Sequence, residues 1–447
     1  MTTATVTAET VADRFFRLLE LVLREEPAIR LCAWDGSEAG SPGAPVVMLK
    51  SPDAVRRLVR APNELGLARA YVSGDLDVPE NLYGVLGSLA VVTARDPQSA
   101  GGTGRLPAVS RRSLSAGERA EVLRLARDLK AVGRTPPPPP EEVRRLRGLL
   151  HTRSRDKAAV SHHYDVGNDF YRLVLGPSMV YSCAYWTRPD DPSYGLDDAQ
   201  RDKLELVCRK LALEPGMRVL DVGCGWGSFL VHAVERYGVT GVGITLSEEQ
   251  ATYARKRVAD AGLQDRIDIR VQDWRDLSDG PFDAIASIGM AEHVGAPRYA
   301  EYAAALRDLL RPGGRLLNHQ IARRPGPTPK GPTFIDRYVF PDGELLPLAQ
   351  TLGALEDVGL EVRDAESLRE HYARTLRCWV ANLESAWDEA TRLTSVGRAR
   401  VWRLYMAASA LAFEVGQIGV NQVLAVRRGP GGESGMPPTR DGWSLGS

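Results

Sequence analysis

The residues best suited to chemistry stand in one run, Val219-Leu220-Asp221-Val222-Gly223-Cys224-Gly225-Trp226-Gly227. Apolar β-formers lead into glycines spaced G-x-G-x-G, and Ser228-Phe229-Leu230-Val231 then opens an apolar helical pattern. That order predicts a strand, a tight turn and a helix. Gly223 and Gly225 leave out the Cβ atoms where a ligand must come close to the backbone. The helix start offers unpaired N–H groups to a polar ligand. The spacing is not the G-x-G-x-x-G of a dinucleotide site, and the context points to S-adenosylmethionine (SAM). A dinucleotide site and a plain structural turn are the alternatives. Two further polar motifs lie near predicted strand ends: the one containing Glu292, past the strand Phe282–Ile288, and the one containing His319, at the strand Gly314–Ile321.

These groups meet only if the elements around them form a sheet. From about residue 200 strand and helix patterns alternate: strands at Arg218–Val222, Thr240–Thr245, Ile267–Val271, Phe282–Ile288 and Gly314–Ile321, with helices that include Glu248–Ala261 and Arg298–Leu310. The alternation implies a mostly parallel sheet with helices on both faces. Ligands in such sheets bind beyond the carboxyl ends of the strands, where the glycine run, Glu292 and His319 all fall. Residues 372–415 read as a later helical segment.

The rest of the chain bounds the answer. Its 447 residues allow two or three domains, and 43% hydrophobic and 26% charged residues describe a globular protein. Lys+Arg and Asp+Glu both total 57, so no global charge argues for nucleic acid. Five scattered cysteines without a C-x-x-C pair fit a reducing cytoplasm. His162, His163 and His293 lack metal-site spacing, and no metal is expected. Neither a signal peptide nor a membrane span is expected, so any membrane role would be peripheral. The expected division is an N-terminal accessory domain over 1–115, a linker with the proline run Pro136 to Pro140 over 116–160, a catalytic domain over 161–428 and a flexible tail over 429–447. The amphipathic pattern from Ala12 to Leu23 is expected to dock on its own domain rather than on a membrane. Arg144, Arg145, Arg147, Arg153, Arg155 and Lys157 form a basic cluster, which reads equally as a solvated helix face or as a contact for anionic lipid headgroups.

Several motifs agree in order and spacing: His162-His163-Tyr164-Asp165, Tyr181-Ser182-Cys183-Ala184-Tyr185-Trp186, Thr245-Leu246-Ser247, Gln272-Asp273-Trp274, Glu292-His293-Val294-Gly295 and Asn318-His319-Gln320-Ile321. Together they resemble the cyclopropane fatty acid synthase family, including the mycolic acid cyclopropane synthases. The resemblance is dense over 160–428 and looser upstream, where Ala70-Tyr71-Val72-Ser73-Gly74-Asp75-Leu76 resembles a glycine-bearing segment of the longer bacterial synthases. It implies an α/β, Rossmann-like class I SAM-dependent methyltransferase domain with a smaller α+β N-terminal domain. The implied activity converts a cis double bond in a phospholipid acyl chain, with SAM as one-carbon donor.

An isolated alkene has no proton to lose before it reacts, so positive charge develops on carbon. The site must then stabilise a cation, exclude water and supply a base. In the family that base is a bound bicarbonate. The resemblance places its pocket at Cys183 (mainly the backbone), Glu292, His319, Ile321 and Tyr405. Plainer readings stand beside these: Glu292 as a helix-start charge, His319 as a hydrogen-bonded structural histidine, Cys183 as an inert buried residue, Tyr405 as ordinary core. The Cys183 thiol is expected to be inert, since nothing basic adjoins it in sequence. For SAM, Gly223 and Gly225 would pass close to the methionine and ribose portions, and Asp221 would support the turn. The resemblance adds Thr245 and Gln250, Asp273 and Trp274 flanking the adenine, Tyr181 and Ser182 over the methionine end, and Ile288.

One departure bears on the product. Family members usually carry an aromatic residue before the glutamate, and here that residue is Ala291. After a hydride shift the same cation can lose a proton from the transferred methyl, giving an exocyclic methylene instead of a cyclopropane. A flavin-dependent reductase partner would then complete a 10-methyl branched acid. Both products remain open, as do a SAM methyltransferase for a polar small molecule or RNA and a non-catalytic SAM- or lipid-binding module. The expected place of action is the inner face of the cell membrane, and members of the family are often homodimers.

Overall fold

The computed structural model describes residues 9–23, 26–61, 63–93, 115–143, 152, 153, 155, 156, 166–326 and 333–441. His162, His163, Tyr164, Asp165, Arg144, Arg145, Arg147 and Lys157 lie outside the described residues. The chain forms two compact units. One holds residues 1–144 with 326–339 and 395–412, and the other holds 145–325, 340–394 and 413–447.

The first unit carries a four-stranded sheet in the order β2-β1-β3-β4, with β1 at Arg30–Cys32, β2 at Glu38–Gly40, β3 at Val46–Leu49 and β4 at Leu76–Asp77. Helix Val11–Leu23 packs against β1, β2 and helix Ala116–Asp128. Its apolar residues Ala12, Phe15 and Leu18 are buried, so that face is spent on the unit's own core. The proline run is held along this unit: Arg57 donates from Nη1 to the Pro137 carbonyl at 2.8 Å. A polyproline stretch has no internal hydrogen bonds, so its carbonyls are free to accept from side chains.

The second unit is built on a mixed sheet in the order β7-β6-β5-β8-β9-β12-β11. Here β5 is Arg218–Val222, β6 Thr240–Thr245, β7 Ile267–Val271, β8 Phe282–Ile288, β9 Leu310–Arg323, β11 Leu360–Ser367 and β12 Ile418–Arg427; the short β10, Leu346–Pro347, pairs with β9. Strands β5 to β9 run parallel, and β12 is antiparallel to both its neighbours. Helices cover both faces, which explains the strand sequences: Val219 enters one core cluster while Leu220 and Val222 enter the other. The strand order reverses between β5 and β8, where such sheets open a crevice for ligands.

Four of the five expected strands have the expected bounds. β9 starts earlier than expected, at Leu310, because the Pro312-Gly313-Gly314 stretch continues the ladder through a register irregularity opposite Phe282–Ala284. The helical segment expected over 372–415 resolves into Arg369–Ser385, Trp387–Leu393 and Val396–Glu414.

Candidate functional site

A cleft opens at the carboxyl ends of β5, β6 and β8. It starts at the glycine run. The N–H groups of Gly223 and Cys224 both donate to the Ile244 carbonyl, at 3.0 and 2.9 Å, and this turns the chain sharply off β5. Gly223 has φ +82°, and a Cβ there would stand 3.1 Å from Met290 Cβ. A side chain at 223 would therefore be strained and would fill the cleft. Helix Ser228–Tyr237 follows directly, starting at Gly227 in the left-handed region.

Nine of the ten expected cofactor residues line this cleft: Tyr181, Ser182, Asp221, Gly223, Gly225, Thr245, Gln250, Trp274 and Ile288. Thr245 ends β6 and donates from Oγ1 to Gln250 Oε1 at 2.8 Å. Gln250 sits in the first turn of helix Glu248–Asp260, whose start is capped by Ser247. Trp274 is buried, edge-on to Tyr302 at 5.1 Å, and leaves part of its ring to the cleft. Asp273 is not among the lining residues. Both its carboxylate oxygens are taken by Arg275, at 2.7 and 2.5 Å, which holds the Asp273 pKa below the usual carboxylate range despite burial.

Tyr181 packs between Tyr171 and Trp379, with ring centroids 5.6 and 5.4 Å away. Gln200 donates to the Ser182 carbonyl at 2.9 Å, and Lys203 donates from Nζ to Ser182 Oγ at 3.0 Å. Both stand on one face of helix Leu196–Leu211, one turn apart. Lys203, Gln272, Met290 and His293 also line the cleft. The sequence reading missed them. For Lys203 the available signal was a lysine three residues after Gln200, on the apolar face of a helical pattern. Burial pushes the Lys203 ammonium down to about 8 and the Asp221 carboxyl up to about 7; each moderates the other through its opposite charge.

Glu292 lies in a 3₁₀ turn, Ala291–His293, just past β8. Its Oε1 accepts the Ile321 N–H of β9 at 2.8 Å. That bond brings Glu292 and Ile321 together, and it uses the Ile321 N–H to hold the carboxylate. The other oxygen, Oε2, is buried with no hydrogen-bond partner. Burial raises the Glu292 carboxyl to about 7, against the lowering effect of the Ile321 N–H. His319 pairs with Ile288 in the β8–β9 ladder and is 2% exposed. Gln422 Nε2 lies 3.3 Å from its Nδ1. With that amide as donor, the ring proton sits on Nε2, which is buried without a partner. Burial keeps the ring neutral, pushing it down to about 3. Cys183 is fully buried and its thiol faces the Ala184 carbonyl at 3.2 Å. Burial raises it well above the ordinary thiol value, so it is no thiolate nucleophile. Tyr405 lies in the first unit, buried on helix Val396–Glu414 and edge-on to Trp402 at 5.9 Å.

The described part of the basic segment is tied by ion pairs to other residues of the second unit. Arg153 pairs with Asp276 at 2.8 Å, Arg155 with Asp342 at 2.6 Å, and Asp156 with Arg275 at 3.0 Å. Among the described residues no group of side chains could hold a metal ion.

Residues 151–423 match the family model of mycolic acid cyclopropane synthetase. The chain belongs to that family. A probable fatty acid methyltransferase of Mycobacterium tuberculosis is 43% identical over 421 residues, which is 92% of this chain and 93% of that protein. The cyclopropane-fatty-acyl-phospholipid synthase of Escherichia coli is 37% identical over 294 residues, 65% of this chain and 73% of that one. Among solved structures, the mycolic acid cyclopropane synthase CmaA1 complexed with SAH and CTAB aligns with a TM-score of 0.57 at 36% identity, covering 60% of this chain and 97% of that one. This synthetase-family chain is thus a SAM-dependent methyltransferase of the cyclopropane-synthase type, on a class I methyltransferase fold. The residues present fit SAM: a glycine turn that a Cβ would fill, a flat Trp274 wall and a polar Thr245–Gln250 corner. Glu292 Oε2 and His319 Nε2 are left over in the interior without protein partners, and neither residue is among those lining the cleft.

Proposed function

We propose that this enzyme adds a one-carbon unit to the cis double bond of an unsaturated acyl chain in membrane phospholipid and forms a cyclopropane ring. SAM supplies the carbon as an electrophilic methyl group, and bicarbonate supplies a base. Bond formation at an alkene leaves positive charge on carbon, and one C–H proton must then depart. The observation that carries the reading is the pair of buried, unpartnered polar atoms on Glu292 and His319. An amine or hydroxyl acceptor bears its own acidic proton and needs no oxyanion held there. Glu292 Oε2 would accept the O–H of bicarbonate while Oε1 stays fixed by Ile321; His319 Nε2–H would donate to one of its oxygens. Cys183 would contribute through its backbone. The role given to Tyr405 rests on resemblance alone. Asp273 would act on the adenine only after release from Arg275.

A second product is favoured by one observation, that a relative matching 92% of this chain is named a probable fatty acid methyltransferase; the family resemblance adds that Ala291 stands where an aromatic residue is usual. In that reading the proton leaves the transferred methyl and the product is a methylene chain for a reductase partner. In both readings the substrate brings the enzyme to a lipid surface, and no helix among the described residues is long and apolar enough to cross a membrane. Incubation with methyl-labelled SAM and oleoyl phospholipid vesicles tests the proposal. Label in the lipid with cyclopropyl protons at high field supports ring formation; vinylidene protons establish the second product. Label only in water-soluble acceptors overturns both.

A further inference from the structure

Lys203 is 1% exposed, yet its ammonium has one hydrogen-bond acceptor, Ser182 Oγ, and among the described residues it forms no ion pair. An ammonium has three N–H donors, and burying one without a directly paired carboxylate leaves donors unmet and is costly. The other buried lysine on the same helix shows the ordinary solution: Lys210, 2% exposed, is paired with Glu366 at 2.5 Å and Asp364 at 3.6 Å. Asp221 makes no ion pair among the described residues and is also 2% exposed. Both Lys203 and Asp221 line the cleft beside Gly223 and Ser182. The cleft wall therefore offers one cation and one anion that feel each other's charge but form no ion pair with each other or with any other described residue, so both keep capacity for a ligand.

We propose that Lys203 binds the α-carboxylate of the cofactor's methionine end, with Ser182 held against it so that the segment Tyr181–Ser182 is set by the same ammonium. The proposal rests on the reading of this cleft as the SAM site and deepens it. A methionine end carries a carboxylate and an ammonium on one carbon, which suits a wall that presents Lys203 and Asp221 together. The glycine turn supplies shape and backbone groups but no formal positive charge, so Lys203 is the group that distinguishes SAM from an analogue without the carboxylate. Gln200 fixes the Ser182 carbonyl from the neighbouring turn of the helix. Lys203 Nζ is thus placed by a rigid helix and not by a mobile loop.

The test compares SAM with decarboxylated SAM by titration calorimetry on the full chain, for the native protein, Lys203→Met and Lys203→Arg. Thermal melting checks each variant's fold. The native protein is expected to prefer SAM over decarboxylated SAM by about 10- to 100-fold, the range of a charge-assisted hydrogen bond. Lys203→Met is expected to lose that preference while keeping its affinity for decarboxylated SAM within about threefold. Lys203→Arg is expected to keep part of it. Equal affinity of the native protein for the two ligands overturns the proposal, whether or not the variants fold. So does a Lys203→Met protein that weakens both ligands alike, which would mark Lys203 as a support for Ser182 only. Failure of the native protein to bind either ligand would instead overturn the SAM reading itself.

Discussion

Thr245 and Gln250, at the end of β6, satisfy each other at 2.8 Å, and the turn beside them closes its own hydrogen bonds on the Ile244 carbonyl. At the ends of β8 and β9 the interior is left unfinished: Glu292 Oε2 and His319 Nε2 are buried without partners. The first region is a surface whose polar groups are answered within the fold, which suits the cofactor role proposed for it. The second carries a standing cost, since each unpartnered buried polar atom is worth about 1–3 kcal/mol of lost stability. A fold tolerates that where the atoms have a task to perform on something that arrives later. In the second region burial pushes the Glu292 carboxyl pKa up and the His319 ring pKa down, while the Asp273 pKa, held by Arg275, stays low despite burial.

Substitutions in the two regions should have different signatures. Gly223→Val should act most strongly, on binding. Its side chain would need φ +82° and would press on Met290, and SAM affinity is expected to fall by about 10²-fold or more. Calorimetry reads this directly, with a melting curve to confirm the fold. His319→Gln should leave SAM affinity within about threefold and reduce turnover on vesicles by about 10- to 100-fold. The same variant should change acid stability. The native ring stays neutral to about 3, whereas an unfolded histidine protonates near 6.5. Its contribution is therefore full above pH 6.5 and is lost as the pH falls toward 3, by about 2 kcal/mol at pH 5. Urea melts at pH 7 and pH 5 should show a smaller loss in the variant. Trp274→Ala belongs to the binding region and should weaken SAM by about tenfold with turnover at saturating SAM nearly unchanged. A fall in turnover at saturating cofactor would merge the two regions.

Much of the binding region was legible in the sequence because it depends on local pattern. The β5 run and its glycines, the Thr245-Leu246-Ser247 turn and Trp274 each sit within a few residues of a strand end. The parallel core was legible for the same reason, since two-sided burial writes Val219, Leu220 and Val222 as an apolar run. The antiparallel edge strand β11 was not, because Leu-Glu-Val-Arg-Asp-Ala-Glu-Ser carries four charges in eight residues and its alternation is broken where Arg363 and Asp364 adjoin at a bulge. Lys203 escaped notice since helical lysines are usually solvated, and only the tertiary placement of Ser182 reveals its burial. Nor could sequence tell that Asp273 is held by Arg275, two residues on, or that Ile321 serves Glu292 through its N–H; both depend on side-chain direction. The basic cluster read equally as solvent-facing or lipid-facing, yet Arg153 and Arg155 are paired with Asp276 and Asp342.

The most direct test of the contrast is Glu292→Gln, assayed in one preparation for SAM affinity by calorimetry and for methyl transfer to oleoyl phospholipid vesicles. Native turnover should rise with pH through about 7 as the carboxylate ionises. The variant is expected to bind SAM within about threefold of the native protein while its turnover falls at least about 10²-fold and loses that pH dependence. Full turnover in the variant, or a loss of SAM binding that accounts for the loss of turnover, would contradict the separation of the two regions.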